Sequence, residues 1–538
     1  MVRGPGREDK WGPGNRKESE AIWARIKDHG ACRIAWLLSR SDRRAQFSSM
    51  HMMLEGGGNA WGSGGARHER GGGLPERKSN NYPNGNPTIT RTKSQQLPER
   101  LLPSFRYGII CAMKSYKKRI LDSVLERWFK SAGAILLEGI KWCGKTTTCE
   151  QLSKSVIYMD EPEKRDHNVL MARIRPSEVL DGESPRLIDE WQIAPILWDA
   201  IRYRVDHGTG RGMFLLTGSA VPANEDEMKH SGTGRFAWVK MRTMSLYESG
   251  ESSGEVSLGA LFNGEDCTGA HPAISQLPEI ATAICRGGWP VACELKGEEA
   301  FDSAFGYLEA VVKRDISKVD GVARNEDRAR RLMRSYARLQ GTQATASVIN
   351  ADLASNETGS FNDDTVYSYL NALKSIFTIE DMPAWCPNLR CKTPIRTSDT
   401  RYFSDPSIAT SALRIGPKGL MEDLKTFGFM FETLAVRDLR VYADAHFGDV
   451  RHYHDASGLE CDAVVSLRDG RYGLIEVKLG GTPLIEHGAA TLKKIASRID
   501  TSKMAKPSFL MVLTAVGECA YVRPEDGVIV CPISALKP

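Results

Sequence analysis

Short apolar runs and amphipathic stretches alternate from about Tyr116 onward. Runs that end at glycine, hydroxyl or carboxylate residues predict buried strands, and the amphipathic stretches predict helices that cross between them. This pattern predicts an α/β fold with a parallel sheet over residues 113–265. The predicted helix is 116–131, a second helix starts at Gly144, and the predicted strands are 134–138, 156–160, 186–189 and 213–217.

The pattern then changes twice. Residues 266–415 are mostly of helical period, as in 301–314 and 328–339, and the stretch 363–379 resembles a recognition helix that leads into a small wing. Residues 416–538 return to α/β character, with a helix over 427–442 and strands over 461–466, 472–477 and 508–513. The sequence therefore predicts a helical, winged-helix-like middle domain followed by a separate C-terminal α/β domain.

Residues 1–112 differ from the rest in composition and charge. They hold 19 Lys/Arg against 10 Asp/Glu, a net charge of +9. Since the whole chain has a net charge of +5, residues 113–538 have a net charge of about −4. Their Gly-, Arg-, Ser- and Asn-rich runs cannot bury enough surface to offset chain entropy, which favours disorder. Two interpretations are open: a nucleic-acid-binding Arg/Gly tail, or a translated leader ahead of a true start at Met113. The scarcity of interleaved aromatics favours the leader.

The whole-chain numbers exclude other classes. A hydrophobic fraction of 41% and a charged fraction of 26% are ordinary for a globular protein, and no apolar run reaches the roughly 18–20 residues of a membrane span. The amino terminus lacks the order of a secretory signal, and twelve cysteines form no compact CxxC pair. We expect a cytoplasmic protein without membrane partners.

A phosphate-binding motif lies between the first predicted strand and the helix that follows it. Gly139-Ile-Lys-Trp-Cys-Gly-Lys-Thr fits G-x-x-x-x-G-K-S/T in full. Backbone N–H groups of such a loop curl around phosphates, the lysine reaches the β- and γ-phosphates, and the threonine ligates magnesium. ATP and Mg²⁺ are therefore the expected cofactors. The predicted nucleotide-binding residues are Gly139, Ile140, Lys141, Trp142, Cys143, Gly144, Lys145, Thr146, Thr147 and Thr217.

Two later motifs supply candidate chemistry for ATP hydrolysis. The strand 186–189 ends in Asp189 and Glu190, so we expect Asp189 to hold the magnesium with Thr146 and Glu190 to polarise the attacking water. Thr217 or Ser219, after the next strand, is predicted beside the γ-phosphate. Arg235 lies on a glycine turn and has two interpretations. It either stabilises the charge of the transition state, within its own chain or across an interface between copies, or it is a surface charge.

At these residues the chain resembles prokaryotic AAA-superfamily ATPases that carry a C-terminal domain of unknown function with a nuclease-like core. The resemblance runs from about Tyr116 to the end and implies an ATPase domain, a helical and winged-helix-like middle and that C-terminal domain. It rests on Lys141-Trp-Cys-Gly-Lys-Thr-Thr-Thr, Leu187-Ile-Asp-Glu-Trp-Gln, Leu216-Thr-Gly-Ser-Ala, Ser231-Gly-Thr-Gly-Arg, Met244-Ser-Leu-Tyr-Glu, Gly287-Gly-Trp-Pro, Lys313-Arg-Asp-Ile, Phe403-Ser-Asp-Pro-Ser and Ile475-Glu-Val-Lys-Leu-Gly.

The C-terminal domain carries a second candidate site. Glu476 and Lys478 lie two apart on a predicted strand and so face the same side, and Asp462 on the neighbouring strand can join them. Two carboxylates and a lysine suit magnesium-assisted phosphodiester cleavage, with Asp462 and Glu476 as metal ligands. The set resembles the D…E-x-K core of restriction-type nucleases, with Glu432 on the preceding helix as a fourth member. The alternative is a cross-strand salt bridge in a domain that keeps only the restriction-endonuclease-like fold.

Two hypotheses follow for the whole chain. In the first, ATP turnover controls a winged helix and a nuclease on double-stranded DNA, with Lys374 and Arg390 as phosphate contacts. In the second, the chain is an ATP-switched regulatory protein whose catalytically inactive C-terminal domain binds a protein partner. A homo-oligomer is compatible with both.

Overall fold

The computed structural model describes residues 116–208, 210–220, 228–357, 361–387 and 398–538. All of them belong to one compact unit, Pro103–Pro538. The predicted leader or disordered segment, 1–112, lies outside the described residues.

Five parallel strands form the first sheet, in the order β2-β3-β4-β1-β5. Along β1, Ile135 and Leu137 face one hydrophobic core while Ala134 and Leu136 face another, because successive strand residues point to opposite sides. The carboxyl ends of β1, β3 and β4 meet at one edge. The strands are β1 (Ala134–Gly139), β2 (Ser155–Tyr158), β3 (Arg186–Asp189), β4 (Phe214–Gly218) and β5 (Phe236–Met241).

Helices pack on both faces of this sheet, as parallel strands with crossover connections require. The predicted strands are confirmed within a residue or two, and the first predicted helix is confirmed in a shorter form. The helices are α1 (Ile120–Phe129), α2 (Lys145–Leu152), α3 (Arg165–Ile174), α4 (Pro176–Leu180) and α5 (Leu197–His207).

The middle of the chain is helical, as predicted. One stretch, Val311–Asp315, is wound as a π-helix between the helices Glu299–Ala310 and Ile316–Lys318. The helices are α8 (Leu277–Arg286), α9 (Glu299–Ala310), α10 (Ile316–Lys318), α11 (Glu326–Arg338), α12 (Ala346–Asn356), α13 (Asp363–Ser375), α14 (Pro406–Leu413) and α15 (Pro417–Glu422). None of the helices in the described ranges is long and apolar enough to cross a bilayer.

A six-stranded sheet forms the C-terminal part, in the order β11-β12-β10-β9-β8-β7. The long helix α16 precedes it, β7, β8 and β9 are antiparallel, and β10 runs parallel to β9 after the helix α17. The elements are α16 (Leu424–Ala445), β7 (Asp449–His454), β8 (Glu460–Ser466), β9 (Tyr472–Lys478), α17 (Thr482–Arg498), β10 (Phe509–Thr514), β11 (Tyr521–Val522) and β12 (Ile529–Pro532).

The segment after the first sheet packs against the end of the chain. It holds α6 (Leu246–Ser249), β6 (Val256–Ser257) and α7 (Leu258–Phe262), and the last strand β13 (Leu536–Lys537) pairs in parallel with β6. The Ser252 hydroxyl also donates to the Leu536 carbonyl at 2.7 Å. The predicted boundary near residue 265 therefore falls within a stretch that contacts the C-terminal sheet.

Candidate functional site

The phosphate-binding motif forms a tight loop between β1 and α2. A Cβ on Gly139 would lie 2.1 Å from the Met241 carbonyl oxygen, so only glycine fits there. Gly144 adopts φ of 100° just before α2, in the left-handed region that glycine tolerates. Trp142 also has a positive φ, 67°, and its side chain is 67% exposed. The loop therefore has the strand–loop–helix context that the motif requires.

Lys145 lies inside this loop. Its side chain is 6% exposed, and its Nζ donates to the carbonyl oxygens of Gly139 at 2.8 Å and Ile140 at 3.0 Å. These acceptors are neutral, whereas a phosphate oxygen carries negative charge and therefore attracts the lysine ammonium more strongly. The lysine is thus held in the loop by groups that an anionic ligand can replace.

Three oxygen-bearing side chains meet at the carboxyl edge of the sheet beside the loop. Thr146 Oγ1 donates to Asp189 Oδ1 at 2.8 Å, and the Thr217 hydroxyl donates to the same oxygen. Burial raises the pKa of Asp189, although the hydrogen bonds from the two threonines act in the opposite direction. Hydroxyl and carboxylate oxygens are the ligands that Mg²⁺ prefers, so this donor set fits a magnesium ion.

Glu190 directly follows this aspartate in a strained conformation. Its φ is 54°, a left-handed value that is uncommon for a residue with a Cβ and that clusters at functional sites. Ser219 Oγ donates to Glu190 Oε2 at 3.2 Å, and the Gln192 amide donates to the same oxygen. The carboxylate is therefore oriented by two neighbours. Sequence reasoning gave no role to Gln192, although it belongs to the Leu187-Ile-Asp-Glu-Trp-Gln motif.

Arg235 is the predicted site residue that the structure does not bring to this cluster. It precedes β5, and its carbonyl accepts from Gly133, which precedes β1. Because β1 and β5 are parallel and in register, Arg235 lies at the amino edge of the sheet, opposite the phosphate loop. Its guanidinium pairs with Asp206, with Nε 2.8 Å from Oδ1. Within one chain, the surface-charge interpretation of Arg235 is therefore the correct one.

A buried arginine that the sequence analysis missed supports the loop from behind. Arg119 Nη1 donates to the Cys143 carbonyl at 2.8 Å, and Nη2 donates to the Arg242 carbonyl at 2.9 Å. Its Nε pairs with Glu248 Oε1 at 2.9 Å. Burial by itself raises the pKa of Glu248, but the Arg119 charge outweighs it and lowers that pKa. The sequence pointed to this pair only through Glu248, which is the last residue of the Met244-Ser-Leu-Tyr-Glu motif.

The four predicted C-terminal residues converge. Lys478 Nζ lies 3.0 Å from Asp462 Oδ2 and 2.7 Å from Glu476 Oε2, and the backbone N–H of Val477 donates to Asp462 Oδ2 at 2.7 Å. Burial, followed by the charge of Asp462, raises the pKa of Glu432 and of Glu476.

Lysine already bridges the two predicted metal ligands in this cluster. In the described ranges, no group of three or more His, Cys, Asp and Glu side chains is arranged to hold a metal ion. One atom nevertheless points to a missing partner, because Glu476 Oε1 is buried and makes no hydrogen bond to any described residue. The carboxylate oxygens of Asp462 and Glu476 suit Mg²⁺ by donor type, provided that Lys478 moves aside.

The middle domain closes one side of the C-terminal cluster. Tyr402 donates its hydroxyl to Glu432, and a Cβ on Gly341 would lie 3.0 Å from that carboxylate. Together these segments enclose a cavity of about 530 Å³. The sequence did not predict this contact between the middle domain and the cluster, since nothing local to residues 341 or 402 indicates that they lie against α16. The residues that line the cavity include Gly341, Thr342, Gln343, Tyr402, Glu432, His452, His454 and Asp462.

The predicted wing extends the C-terminal sheet. The backbone N–H of Trp385 donates to the His452 carbonyl at 2.6 Å, and that of His452 donates to the Pro383 carbonyl at 3.1 Å, so this segment covers the edge of β7. Lys374, a predicted phosphate contact, pairs with buried Asp381 at 2.8 Å. The same segment also pairs antiparallel with residues 400–403, through the bridges Ile379–Phe403 and Met382–Thr400, so a small antiparallel pair follows α13 and reaches β7 through Ala384. Arg390 lies outside the described residues.

Comparison with known proteins agrees with the first site. Residues 131–250 match the family described as an AAA domain. Residues 277–419 and 427–536 match two domains of unknown function, DUF8612 and DUF4143. The AAA match and the geometry of the phosphate loop together support a P-loop ATPase domain over residues 131–250.

Two mycobacterial proteins are similar to this chain over more than half of its length. Uncharacterized proteins of Mycobacterium tuberculosis and Mycobacterium bovis are each 24% identical over 377 residues, which is 69% of this chain and 75% of theirs. A Walker-type ATPase of Pyrococcus abyssi is 16% identical with a TM-score of 0.35, covering 56% of this chain and 96% of that one.

Proposed function

We propose that this protein hydrolyses ATP with magnesium at the Lys145 loop, and that turnover controls a DNA-directed, nuclease-like C-terminal domain. The observation that carries the first part is the convergence of Thr146, Asp189 and Thr217 beside Lys145, with the strained Glu190 next to them. A phosphate loop, a set of oxygen ligands and an oriented carboxylate are the parts that ATP hydrolysis needs.

Each residue has a separate task in this reaction. Lys145 exchanges its two carbonyl partners for β- and γ-phosphate oxygens, and the loop N–H groups bind the remaining phosphate charge. Thr146 and Asp189 would hold the magnesium ion, which neutralises charge on the phosphates when bound. Glu190 accepts a proton from the attacking water, while Ser219 and Gln192 fix the direction of its carboxylate.

The C-terminal proposal rests on topology and on one cluster. A helix, three antiparallel strands, a helix and a parallel strand follow one another as α16, β7–β9, α17 and β10. The D…E-x-K residues lie on β8 and β9, and Asp462 lines the cavity of about 530 Å³ together with Glu432. Asp462 and Glu476 would hold a magnesium ion, and Lys478 would stabilise negative charge on the phosphate. This combination supports cleavage of a phosphodiester.

A second candidate function has its own observation. Lys478 neutralises both Asp462 and Glu476, and the segment around Trp385 is buried against β7. Both features suit a C-terminal domain that binds a protein partner and cuts nothing, with ATP acting as the switch.

Two assays on the full chain separate these functions. Phosphate release from ATP, measured with and without linear duplex DNA, should rise with DNA if the domain is DNA-directed. Magnesium-dependent cleavage of single- and double-stranded DNA should be lost in Asp462→Ala and kept in a matched surface variant, Asp469→Ala, on the β8–β9 turn. Cleavage that persists in Asp462→Ala would remove Asp462 from the site. Turnover indifferent to DNA, with no cleavage by the wild type, would favour the protein-binding switch.

A further inference from the structure

A groove lies at the end of β7 and β8 that is farther from the C-terminal cluster. Its volume is about 720 Å³. The residues that line it include Trp385, Phe447, Arg451, Ser466 and Arg468. Ser466 ends β8 four residues after Asp462, which corresponds to about 13 Å along the strand. On β7, Arg451 lines the groove, while the next residue, His452, lines the cavity beside Asp462. The groove and the cluster are therefore neighbouring sites on the same two strands.

Two arginines are stacked on one aromatic ring of this groove. The guanidinium carbon of Arg127, on α1, lies 3.9 Å from the centroid of the Phe447 ring, and that of Arg468, on the β8–β9 turn, lies 4.9 Å from the same centroid. The two guanidinium carbons are therefore at most 8.8 Å apart. The Arg468 guanidinium also lies 5.7 Å from the Trp128 ring. Stacking holds both arginines in place and leaves their N–H donors available to a ligand.

Neither of the two arginine charges is paired within the described part of the chain. Both side chains are exposed, and neither guanidinium makes a hydrogen bond or an ion pair with a described residue. Among the described residues that line the groove, the one carboxylate is Asp449, which pairs with Arg451 at 2.6 Å. Because two unpaired charges of the same sign repel each other at this separation, a ligand with negative charge that contacts both is favoured.

The chemistry of the groove fits the backbone of a nucleic acid. The planar donor fork of arginine matches phosphate oxygens, and each strand of a duplex carries a negative charge about every 3.4 Å, so neighbouring phosphates can contact both arginines. Phe447 already carries two guanidinium groups, and Trp385 is only 7% exposed. The described lining therefore offers little ring surface on which a base could stack. Contacts to phosphates alone position a nucleic acid without reading its sequence.

We propose that Arg127 and Arg468 bind the phosphate backbone of the DNA whose next segment reaches the C-terminal cluster. This inference rests on the proposed DNA-directed function. It moves the phosphate contacts away from Lys374, which is engaged by the buried Asp381. The 13 Å or so between the groove and Asp462 corresponds to about four base steps, so the bound phosphates lie about four nucleotides from the cluster.

The test measures binding of fluorescent duplexes of about 20 base pairs to the full chain, without ATP, by anisotropy at several salt concentrations. One phosphate contact contributes about 0.9 to the slope of log Kd against log[salt], which is about eightfold in affinity at about 100 mM salt. We therefore expect the double variant Arg127→Gln/Arg468→Gln to bind about 60-fold more weakly and to lower the slope by about 2. The loss should be equal for two duplexes of unrelated sequence.

Two control variants separate charge at the groove from other effects. Arg468→Lys retains the charge but not the planar fork, so it should keep the slope and lose part of the affinity. Lys503→Gln removes a positive charge from an exposed side chain that does not line the groove, and it should match the wild type.

Two results would overturn the assignment of the groove. One is DNA binding by the double variant with the affinity and slope of the wild type, which would favour an acidic protein segment as the ligand of these arginines. The other is weaker binding with an unchanged slope and a lowered urea midpoint, which would indicate a structural role. Failure of the proposed DNA-directed function is a different result: the wild type itself would then bind neither duplex at low salt, and both proposals would fall.

Discussion

Replacing Asp405 with alanine should destabilise the protein more than the removal of any exposed carboxylate. The side chain is fully buried in the Phe403-Ser-Asp-Pro-Ser motif. Its Oδ2 accepts from Thr243 Oγ1 at 2.6 Å, from the Gly288 N–H at 3.0 Å and from Arg437 Nη1 at 3.1 Å. One carboxylate thus joins the end of the ATPase sheet, the middle domain and α16.

The size of the effect follows from what alanine leaves behind. Arg437 keeps Asp438 as a partner at 2.7 Å, so its buried charge is only partly uncompensated. Breaking a buried pair costs about 3–5 kcal/mol, and each buried donor left without an acceptor costs about 1–3 kcal/mol. Because the Arg437 charge is still shared, we expect a total of about 4 kcal/mol. Asp405→Asn retains an acceptor and should lose about half as much.

Urea unfolding followed by circular dichroism measures this difference in the free energy of unfolding. The matched control is Asp181→Ala, since Asp181 is 82% exposed and its pair with Arg204 is long, 3.5 Å. The control should leave the unfolding midpoint unchanged. If the free energy of unfolding of Asp405→Ala lies within about 1 kcal/mol of the wild-type value, the three segments are not held together by this carboxylate.

Three further predictions address the loop, the base and a turn. Gly139→Ala forces a Cβ to 2.1 Å from the Met241 carbonyl, so it should abolish ATP binding in a calorimetric titration. Glu190→Gln should retain ATP affinity but lower kcat about 10²- to 10⁴-fold; normal turnover would refute its role as base. Burial raises the pKa of Asp455, but hydrogen bonds, including one from Arg498, lower it to about 2, below its ordinary 3.8. Asp455 therefore stabilises the fold above about pH 4, and this contribution is lost as the pH falls through 2. Urea midpoints of Asp455→Asn and the wild type should differ at pH 7 and converge near pH 2.

Sequence patterns predicted most of the apolar strands, including the edge strand β2, but they missed β5 and β7, which also lie at sheet edges. The strands that carry the phosphate site are short apolar runs, which periodicity detects. The edge strand β5 alternates buried and exposed residues through Trp238 and Lys240, and β7 is largely polar, so neither stood out. The segment around Trp385 covers the edge of β7, a tertiary contact that the local sequence did not predict.

The motif residues of the candidate site were predictable because their spacing encodes the geometry. The residues that support them were not, because their partners are distant in the chain. Arg119 and Glu248 are 129 positions apart, and Lys141 and Asp315 are 174 apart. The position of Arg235 was left open for a related reason, since a glycine-flanked arginine gives no sign of the edge of the sheet at which it will lie.

The most direct test of the central claim is phosphate release from ATP by the full chain, with magnesium, beside Lys145→Ala. Lys145 is buried and, among the described residues, donates hydrogen bonds only to loop carbonyls. Its replacement by alanine should therefore leave the fold intact but remove the side chain that is expected to bind the phosphates. We predict magnesium-dependent turnover by the wild type and neither turnover nor ATP binding by Lys145→Ala. Equal ATP binding and turnover by the two proteins would contradict the assignment of this loop as the nucleotide site.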